Sequence, residues 1–206
     1  MSSDPIETLN AASEEMRRLY WKEKNLPESL QVAREGIEQG EKAAKEFPEQ
    51  QEEILSGVKR LCFDIASFTW IGWDEPGISP TSEERAEGLS AARKNLEYAV
   101  QLKSGDLPTS RAYWIIGAHL LTAGQPQDAL GDFRRAEELA RSAGEEGEEQ
   151  LCRGFAMLAE AVIEGRIESA AITEQLSAMD ADPKAAPFSS QIRTVARLLG
   201  IQGVQS

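Results

Sequence analysis

Histidine and cysteine are scarce in this chain, and their scarcity excludes several kinds of site. His119 is the one histidine among 206 residues, and the two cysteines, Cys62 and Cys152, lie far apart in the sequence. A zinc site needs several His or Cys ligands, and a redox motif needs two cysteines at C-x-x-C spacing. We therefore predict no metal and no cofactor, and we interpret both cysteines as small buried hydrophobic residues.

Long apolar segments are also missing. No stretch approaches the roughly 18 consecutive apolar residues that indicate a transmembrane helix. The N-terminal segment, MSSDPIETLN, contains neither the basic part nor the apolar part of a secretory signal. Two unpaired cysteines suit a reducing compartment. Together these features predict a cytoplasmic protein.

Basic residues are outnumbered by acidic ones. The chain has 22 Lys and Arg against 35 Asp and Glu, which gives a net charge of −13 at pH 7. Nucleic acids and anionic membrane surfaces attract clusters of Lys and Arg. We therefore predict neither of them as a partner. The acidic excess either serves solubility alone or matches a basic partner.

Catalytic signatures are missing too. The sequence has no glycine-rich phosphate loop, no H-E-x-x-H motif and nothing that resembles a nucleophile elbow. We interpret His119 as a structural or surface residue. The acidic run Glu145–Glu149 lies at a predicted helix start, where carboxylates stabilise the positive end of the helix dipole. The chain is therefore predicted not to be an enzyme.

Helix-forming residues with helical periodicity fill most of the chain. Apolar residues recur at spacings of three and four, and the alternation typical of strands is absent. Prolines, glycines and a capping box at Thr81–Glu84 separate the helices. The predicted helices run from about Ile6 to Tyr20, Pro27 to Phe47, Glu49 to Ile71, Thr81 to Lys103, Pro108 to Ala123, Gln127 to Ala143, Glu146 to Glu164, Ile167 to Met179 and Phe188 to Leu199. The tail from Ile201 to Ser206 is predicted to fray.

One stretch carries a recognisable repeat pattern. Ala112 to Ala136 contains an aromatic residue and a glycine on one helix, followed by a small–aromatic–small series on the next. The matching residues are Tyr113, Ile116, Gly117, Leu120, Gly124, Ala129, Phe133 and Ala136. Their order and spacing resemble the tetratricopeptide repeat, a helix–turn–helix unit of about 34 residues. Small residues at Gly117, Ala129 and Ala136 would let the two helices approach closely.

The resemblance implies an all-α fold in which antiparallel helix pairs stack as a right-handed α-solenoid. We place the pairs at about 6–47, 49–103, 108–143 and 146–180, with a C-terminal capping helix at 187–200, all in one domain over 1–206. Weaker matches occur in the other pairs, where non-tetratricopeptide helical repeats remain an alternative. The weaker matches are Met16, Tyr20, Ser29, Ala33, Gly36, Ala92, Leu96, Ala99, Gly165, Ala170 and Pro183.

The resemblance also implies a concave groove lined by the first helix of each pair. Helical projection gives a candidate partner-binding set in that groove. The set is Arg18, Trp21, Lys22, Lys59, Phe63, Trp70, Arg111, Trp114, Ile115 and Phe155. Trp and Arg are the residue types in which binding energy concentrates. The alternative is that the aromatic residues form core, which suits Phe63 and Trp70 equally well.

These features predict a non-catalytic protein–protein interaction module that binds a peptide or a partner helix in its groove. The basic edges of the groove suit a partner with acidic character. A homodimeric structural protein that associates through its apolar last helix, Phe188 to Leu199, is an alternative, and a small-molecule sensor is another. Whether the loop from Trp73 to Pro80 covers the groove is left open by the sequence.

Overall fold

Helices form almost everywhere that the periodicity predicts them. In a computed structural model, residues 4–166 and 168–202 are described, and they form nine α-helices and two short 3-10 helices without any strand. The α-helices are α1 (Pro5–Trp21), α2 (Leu26–Glu46), α3 (Gln51–Thr69), α4 (Ser82–Gln101), α5 (Asp106–Thr122), α6 (Pro126–Ser142), α7 (Glu146–Ile163), α8 (Ala170–Ala181) and α9 (Ala186–Leu198). The all-α prediction is confirmed. None of these helices is long and apolar enough to cross a membrane.

The helix ends follow local capping chemistry. The predicted capping box of α4 is confirmed, because the Thr81 hydroxyl accepts from the Glu84 amide at 3.2 Å and the Glu84 carboxylate accepts from the Thr81 amide at 2.7 Å. The α3 helix begins later than predicted because Pro48–Gln50 forms a 3-10 turn first. The α8 helix begins at Ala170, after the Ser169 cap. The predicted start at Ile167 and the tail 203–206 lie outside the described residues.

The helices group into two compact units. The first unit contains α1 to α4 and covers 4–70 and 75–104. In it, consecutive helices pack against each other, and α1 also contacts α3. The second unit contains α5 to α9 together with Ile71–Asp74, which includes the 3-10 helix Ile71–Trp73. In it, α6 packs against both α5 and α7, and α7 also packs against α8 and α9.

In the second unit, α5 and α6 approach each other closely at Gly117. A Cβ atom on Gly117 of α5 would lie 2.8 Å from Cε1 of Phe133 on α6, which is too close for two carbon atoms. Phe133 is fully buried, and its ring lies 5.3 Å from that of Phe155 on α7. Ala129 and Ala136 are fully buried as well. The small–aromatic–small series thus packs α6 between its two neighbours.

A buried carboxylate joins α1 to α3 in the first unit. Asp64 accepts hydrogen bonds from the Arg17 guanidinium at 2.9–3.2 Å and from the Ser13 hydroxyl at 3.3 Å. Burial raises the pKa of Asp64 above its ordinary value, and the hydrogen bonds and charge of Arg17 oppose part of that rise. The carboxylate therefore fixes how α1 lies on α3, at a cost in lost hydration.

The substitution Asp64→Asn is expected to change how stability depends on pH. A raised folded-state pKa means that the contribution of Asp64 to stability is fully present below about pH 4, its unfolded pKa, and is lost as pH rises through the folded pKa. The free energy of unfolding of the wild type should therefore fall relative to Asp64→Asn between about pH 4 and pH 7. Urea denaturation at a series of pH values measures this difference, and a constant or opposite difference would contradict the account of Asp64.

Candidate functional site

The candidate partner-binding residues differ widely in exposure. Arg18, Trp21, Lys22, Lys59, Phe63 and Trp70 lie in the first unit, and Arg111, Trp114, Ile115 and Phe155 lie in the second. The exposed members are Arg18, Trp21, Lys22 and Arg111, and Lys59 and Phe63 are half-buried. The buried members are Trp70, Trp114, Ile115 and Phe155. Only the exposed and half-buried members present side-chain surface to a partner in this structure.

Trp21 is the last residue of α1. With 51% of its surface accessible, it is the most exposed aromatic side chain among the described residues. Two neighbouring rings hold it in place. Its indole meets Tyr20 edge-on at 4.8 Å and Phe68 edge-on at 6.0 Å, and these two rings stack on each other at 3.9 Å. Trp21 is therefore both exposed and held in position, which lowers the entropy cost of using it in binding.

The turn after α1 places a lysine over the Trp21 indole. The Lys24 ammonium lies 5.5 Å from the centroid of that ring and pairs with the Glu75 carboxylate at 2.5 Å. Burial, with a smaller effect of the Glu75 charge, raises the pKa of Tyr20 to about 12, so its phenol is neutral at physiological pH. Trp21, Lys24 and Glu75, with Tyr20 and Phe68 beneath, form what we call the Trp21 cluster.

The basic residues near the Trp21 cluster mostly have acidic partners already. The Arg18 guanidinium binds Glu15 and also Glu23, and hydrogen bonds to these carboxylates raise the pKa of Arg18 further above its ordinary value. Lys22 is exposed, and within the described residues it makes no ion pair. An acidic partner would therefore meet Lys22 directly but would have to replace Glu15 or Glu23 at Arg18.

Lys59 and Phe63 lie on α3. The Lys59 side chain is half-buried, and burial lowers its pKa below the ordinary value. Its backbone carbonyl accepts a hydrogen bond of 2.8 Å from the side-chain amide of Asn95 on α4, and Asn95 itself is buried. The part of α3 around Lys59 is therefore held by α4.

The candidates of the second unit form a buried aromatic series. The Trp114 ring on α5 meets the Phe155 ring on α7 edge-on at 5.5 Å, and Phe155 in turn meets Phe133. The Trp73 ring joins this series at 6.4 Å from Trp114. Helical projection missed Trp73 because it lies in a 3-10 helix after α3. Its signal in the sequence is a tryptophan directly before the Asp-Glu-Pro-Gly turn.

Arg111 is the exposed cation of the second unit. Its Nε atom lies 3.0 Å from both carboxylate oxygens of Glu148 on α7, and this hydrogen bonding raises the pKa of Arg111 above its ordinary value. The pair links α5 to α7. Like Arg18, Arg111 would have to leave an acidic neighbour before it could bind an acidic partner.

The residues that could carry chemistry lie in the core. His119, Cys62 and Cys152 are all buried, and burial raises the pKa of each thiol to about 12, so neither is a thiolate at neutral pH. In 4–166 and 168–202, no group of three or more His, Cys, Asp or Glu side chains could hold a metal ion. The arrangement gives no activated nucleophile at these three residues.

A cleft of about 320 Å³ lies between α2, α3 and α4 of the first unit. Cys62 is among the residues that line it, and two ion pairs between lining residues join α2 to α4. The pairs are Arg34 with Glu87 and Lys94 with Glu41. The cleft has the size of a small ligand, but both cations that line it, Arg34 and Lys94, already pair with carboxylates of the chain.

No protein-family model matches the chain, and a search of curated proteins finds no match either. The likeness to tetratricopeptide repeats therefore rests on the residues between Ala112 and Ala136 and on the close packing of α5 with α6.

Proposed function

We propose that this chain is a non-catalytic protein–protein interaction module of tetratricopeptide type, which binds a peptide or a partner helix. The Trp21 cluster is the proposed centre of the binding surface on the first unit. The observation that carries this proposal is a tryptophan that is half exposed and yet fixed by two aromatic neighbours. Tryptophan is among the residue types that dominate binding energy at interfaces, and a fixed ring loses little freedom on binding.

The proposed partner has an apolar side chain for Trp21 and an acidic side chain for Lys22. Apolar contact with the exposed indole would supply most of the affinity. Acidic groups on the partner would pair with Lys22 and compete with Glu15 and Glu23 for Arg18. Because Arg18 is already paired, the partner's acidic character should affect specificity and association rate more than total affinity.

The proposed repeat architecture, a right-handed solenoid, is supported by local packing. Gly117 and Phe133 pack closely, as a small and an aromatic residue on the paired helices of a repeat would. The helices α5, α6 and α7 also pack in sequence order. Each helix pair of such an array buries the apolar face of its neighbour. The proposal therefore extends the pattern of α5 and α6 to the pairs with weaker matches.

The homodimer alternative has less support from the packing of the last helix. Ile192, Val195 and Ala196 on the apolar face of α9 are fully buried within the chain. The δ-methyl of Ile192 reaches the backbone of Gly154 on α7. This face is thus covered by the second unit itself. Light scattering over a range of concentrations tests self-association directly, and a concentration-dependent dimer would favour the alternative.

Trp21→Ala is expected to weaken partner binding by at least about 2 kcal/mol, or roughly 30-fold in Kd, since hot-spot tryptophans contribute on this scale. The partner is first identified by cross-linking and mass spectrometry in the native host, and the affinity of the purified pair is then measured by calorimetry. Trp21 lies at the end of its helix and is exposed, so the variant should keep the helical circular dichroism signal.

Val100→Ala is the matched control for Trp21→Ala. Val100 is an exposed apolar residue of α4, with 62% of its surface accessible, and it lies outside the Trp21 cluster. The control should bind the partner as the wild type does. Equal affinity of the folded Trp21→Ala variant and the wild type would refute the Trp21 cluster as the binding surface.

A further inference from the structure

The segment Ile71–Asp74 belongs to the second unit, although the residues on both sides of it belong to the first. Its 3-10 helix is closed by a hydrogen bond of 3.1 Å from the Asp74 amide to the Ile71 carbonyl. Asp74 has a φ of 49°, in the left-handed region that favours glycine. A non-glycine residue stays in this region when surrounding contacts hold it there.

Two helices of the second unit contact the segment. The 3-10 helix Ile71–Trp73 packs against α5 and α9, and Gly72 is buried. The Trp73 ring lies 6.4 Å from the Trp114 ring of α5 at an angle of 58°, and Trp114 rests edge-on against Phe155. Trp73 thus extends an aromatic series whose other members are buried.

Next to this aromatic contact lies a charge contact. The Asp74 carboxylate is 3.9 Å from the Arg197 guanidinium of α9, and both side chains are more than 60% accessible. An exposed ion pair at this distance is weak, because water screens it. Trp73 itself keeps 42% of its surface accessible. The ring of Trp73 and the carboxylate of Asp74 thus contact the second unit while both side chains stay partly accessible to solvent.

We propose that Ile71–Asp74 acts as an intramolecular ligand of an aromatic and cationic site on the second unit, and that this site binds short peptides in which tryptophan is directly followed by an acidic residue. The site consists of Trp114, with Phe155 behind it, and Arg197. This proposal rests on the proposed function as an interaction module and adds a second surface with a defined motif. The chain's own motif shows the arrangement, because the ring of residue 73 meets Trp114 and the carboxylate of residue 74 faces Arg197.

The tethered segment should suppress binding of a partner motif. A ligand in the same chain acts at an effective concentration on the order of millimolar, so a free peptide of equal intrinsic affinity competes poorly. A partner succeeds when it supplies further contacts or when the segment is released. The second unit would then bind only partners that offer more than the minimal motif.

A synthetic peptide with the sequence of residues 71–76, blocked at both ends, tests this proposal in trans. Its binding to the full chain is measured by NMR of the tryptophan indole N–H signals, with Trp73→Ala and the wild type in parallel. We expect the Trp114 signal of Trp73→Ala to shift saturably, with an affinity at least about tenfold higher than that of the wild type. The same peptide with alanine in place of tryptophan should not bind.

Two further arms test the charge contact and the specificity. The double variant Trp73→Ala/Arg197→Gln should bind the peptide more weakly than Trp73→Ala does. Its affinity should equal that of Trp73→Ala for a peptide in which asparagine replaces the aspartate. In the Trp73→Ala background, Val100→Ala, which changes an exposed residue of the first unit outside both proposed sites, should leave the affinity for the peptide unchanged. If Trp73→Ala loses its helical circular dichroism signal, Trp73→Leu replaces it, since it keeps an apolar side chain at the contact.

The proposal is overturned if the peptide does not bind folded Trp73→Ala or Trp73→Leu, or if it binds the wild type equally well. It is also overturned if the Trp114 signal stays unchanged while other signals shift. Binding of the peptide at the Trp21 cluster would shift the Trp21 indole signal instead of the Trp114 signal. Failure of the Trp21 cluster and failure of this site are therefore separate outcomes.

Discussion

Phe133→Ala is expected to lower the free energy of unfolding by about 3–5 kcal/mol, the range for removal of a fully buried phenylalanine. Phe133 has no accessible surface, and its ring fills the space between Gly117 on α5 and Phe155 on α7. The substitution removes the ring and leaves a cavity that two rigid helices cannot close. The loss should therefore lie in the upper part of the range.

Urea denaturation followed by circular dichroism and tryptophan fluorescence measures this loss. Tyr113→Ala is the control, because Tyr113 is an aromatic residue of α5 that is only half-buried. Tyr113→Ala should lower the free energy of unfolding by less than half as much as Phe133→Ala does. Equal losses for the two variants would show that Phe133 is not the central contact of the second unit.

Gly147→Ala should destabilise the second unit by an amount near the top of the roughly 1–3 kcal/mol range for overpacking. A Cβ atom at Gly147 would lie 2.3 Å from the carbonyl oxygen of Lys184, just before α9. The obstacle is backbone, so no side-chain rotation can relieve it, and the chain leading into α9 must move away from α7. The gain in helix propensity from alanine, about 1 kcal/mol, offsets only part of this cost.

Gly131→Ala is the matched control with the opposite expected sign. Gly131 lies inside α6, is exposed, and has no atom within 4 Å of the position that its Cβ would take. The same glycine-to-alanine change should therefore raise the free energy of unfolding by about 0.5–1 kcal/mol through helix propensity alone. Thermal denaturation of both variants compares the two effects. A Gly147→Ala protein as stable as Gly131→Ala would mean that α9 does not depend on this contact.

The helices could be predicted from the sequence because their signals are local. Apolar spacing, prolines and the Thr81–Glu84 box all act within one or two turns, and the structure places nearly every helix within a few residues of its predicted bounds. The start of α8 at Ala170 follows from the local Ser169 cap. The close approach of α5 and α6 at Gly117 was also predictable, because a small residue lets two helices come close, whereas the contact of Gly117 with Phe133 appears only in the structure.

The exposure of the candidate site could not be predicted in the same way. Helical projection tells which face a side chain occupies, but not what covers that face. Trp114 and Ile115 lie on a predicted groove-lining helix, yet both are buried in the second unit. Trp21 is exposed because α1 ends there. The difference depends on tertiary contacts, which a single helix does not encode.

The ion pairs of the candidate basic residues could not be predicted from the sequence either. The sequence shows Arg18 and Arg111 as basic residues of a candidate groove, but the structure pairs each of them with acids of the chain. Glu148, the partner of Arg111, lies on α7, and only packing of α5 beside α7 brings the two together. The projected basic edges of the groove indicated an acidic partner, whereas in the structure Arg18 and Arg111 already bind acidic residues of the chain.

The position of Ile71–Asp74 in the chain has a consequence for synthesis on the ribosome. The segment leaves the exit tunnel before α5 exists and long before α9, whose Arg197 lies near the C-terminal end. In the proposed role of the segment, the tryptophan–acid motif of a nascent chain would have no site of its own to occupy until α9 is complete. Neighbouring ribosomes on one message would then place such motifs beside finished copies, whose own segments keep their sites filled. In the proposed role of the segment, the tether would keep the site of each finished chain closed to the exposed motif of a nascent one.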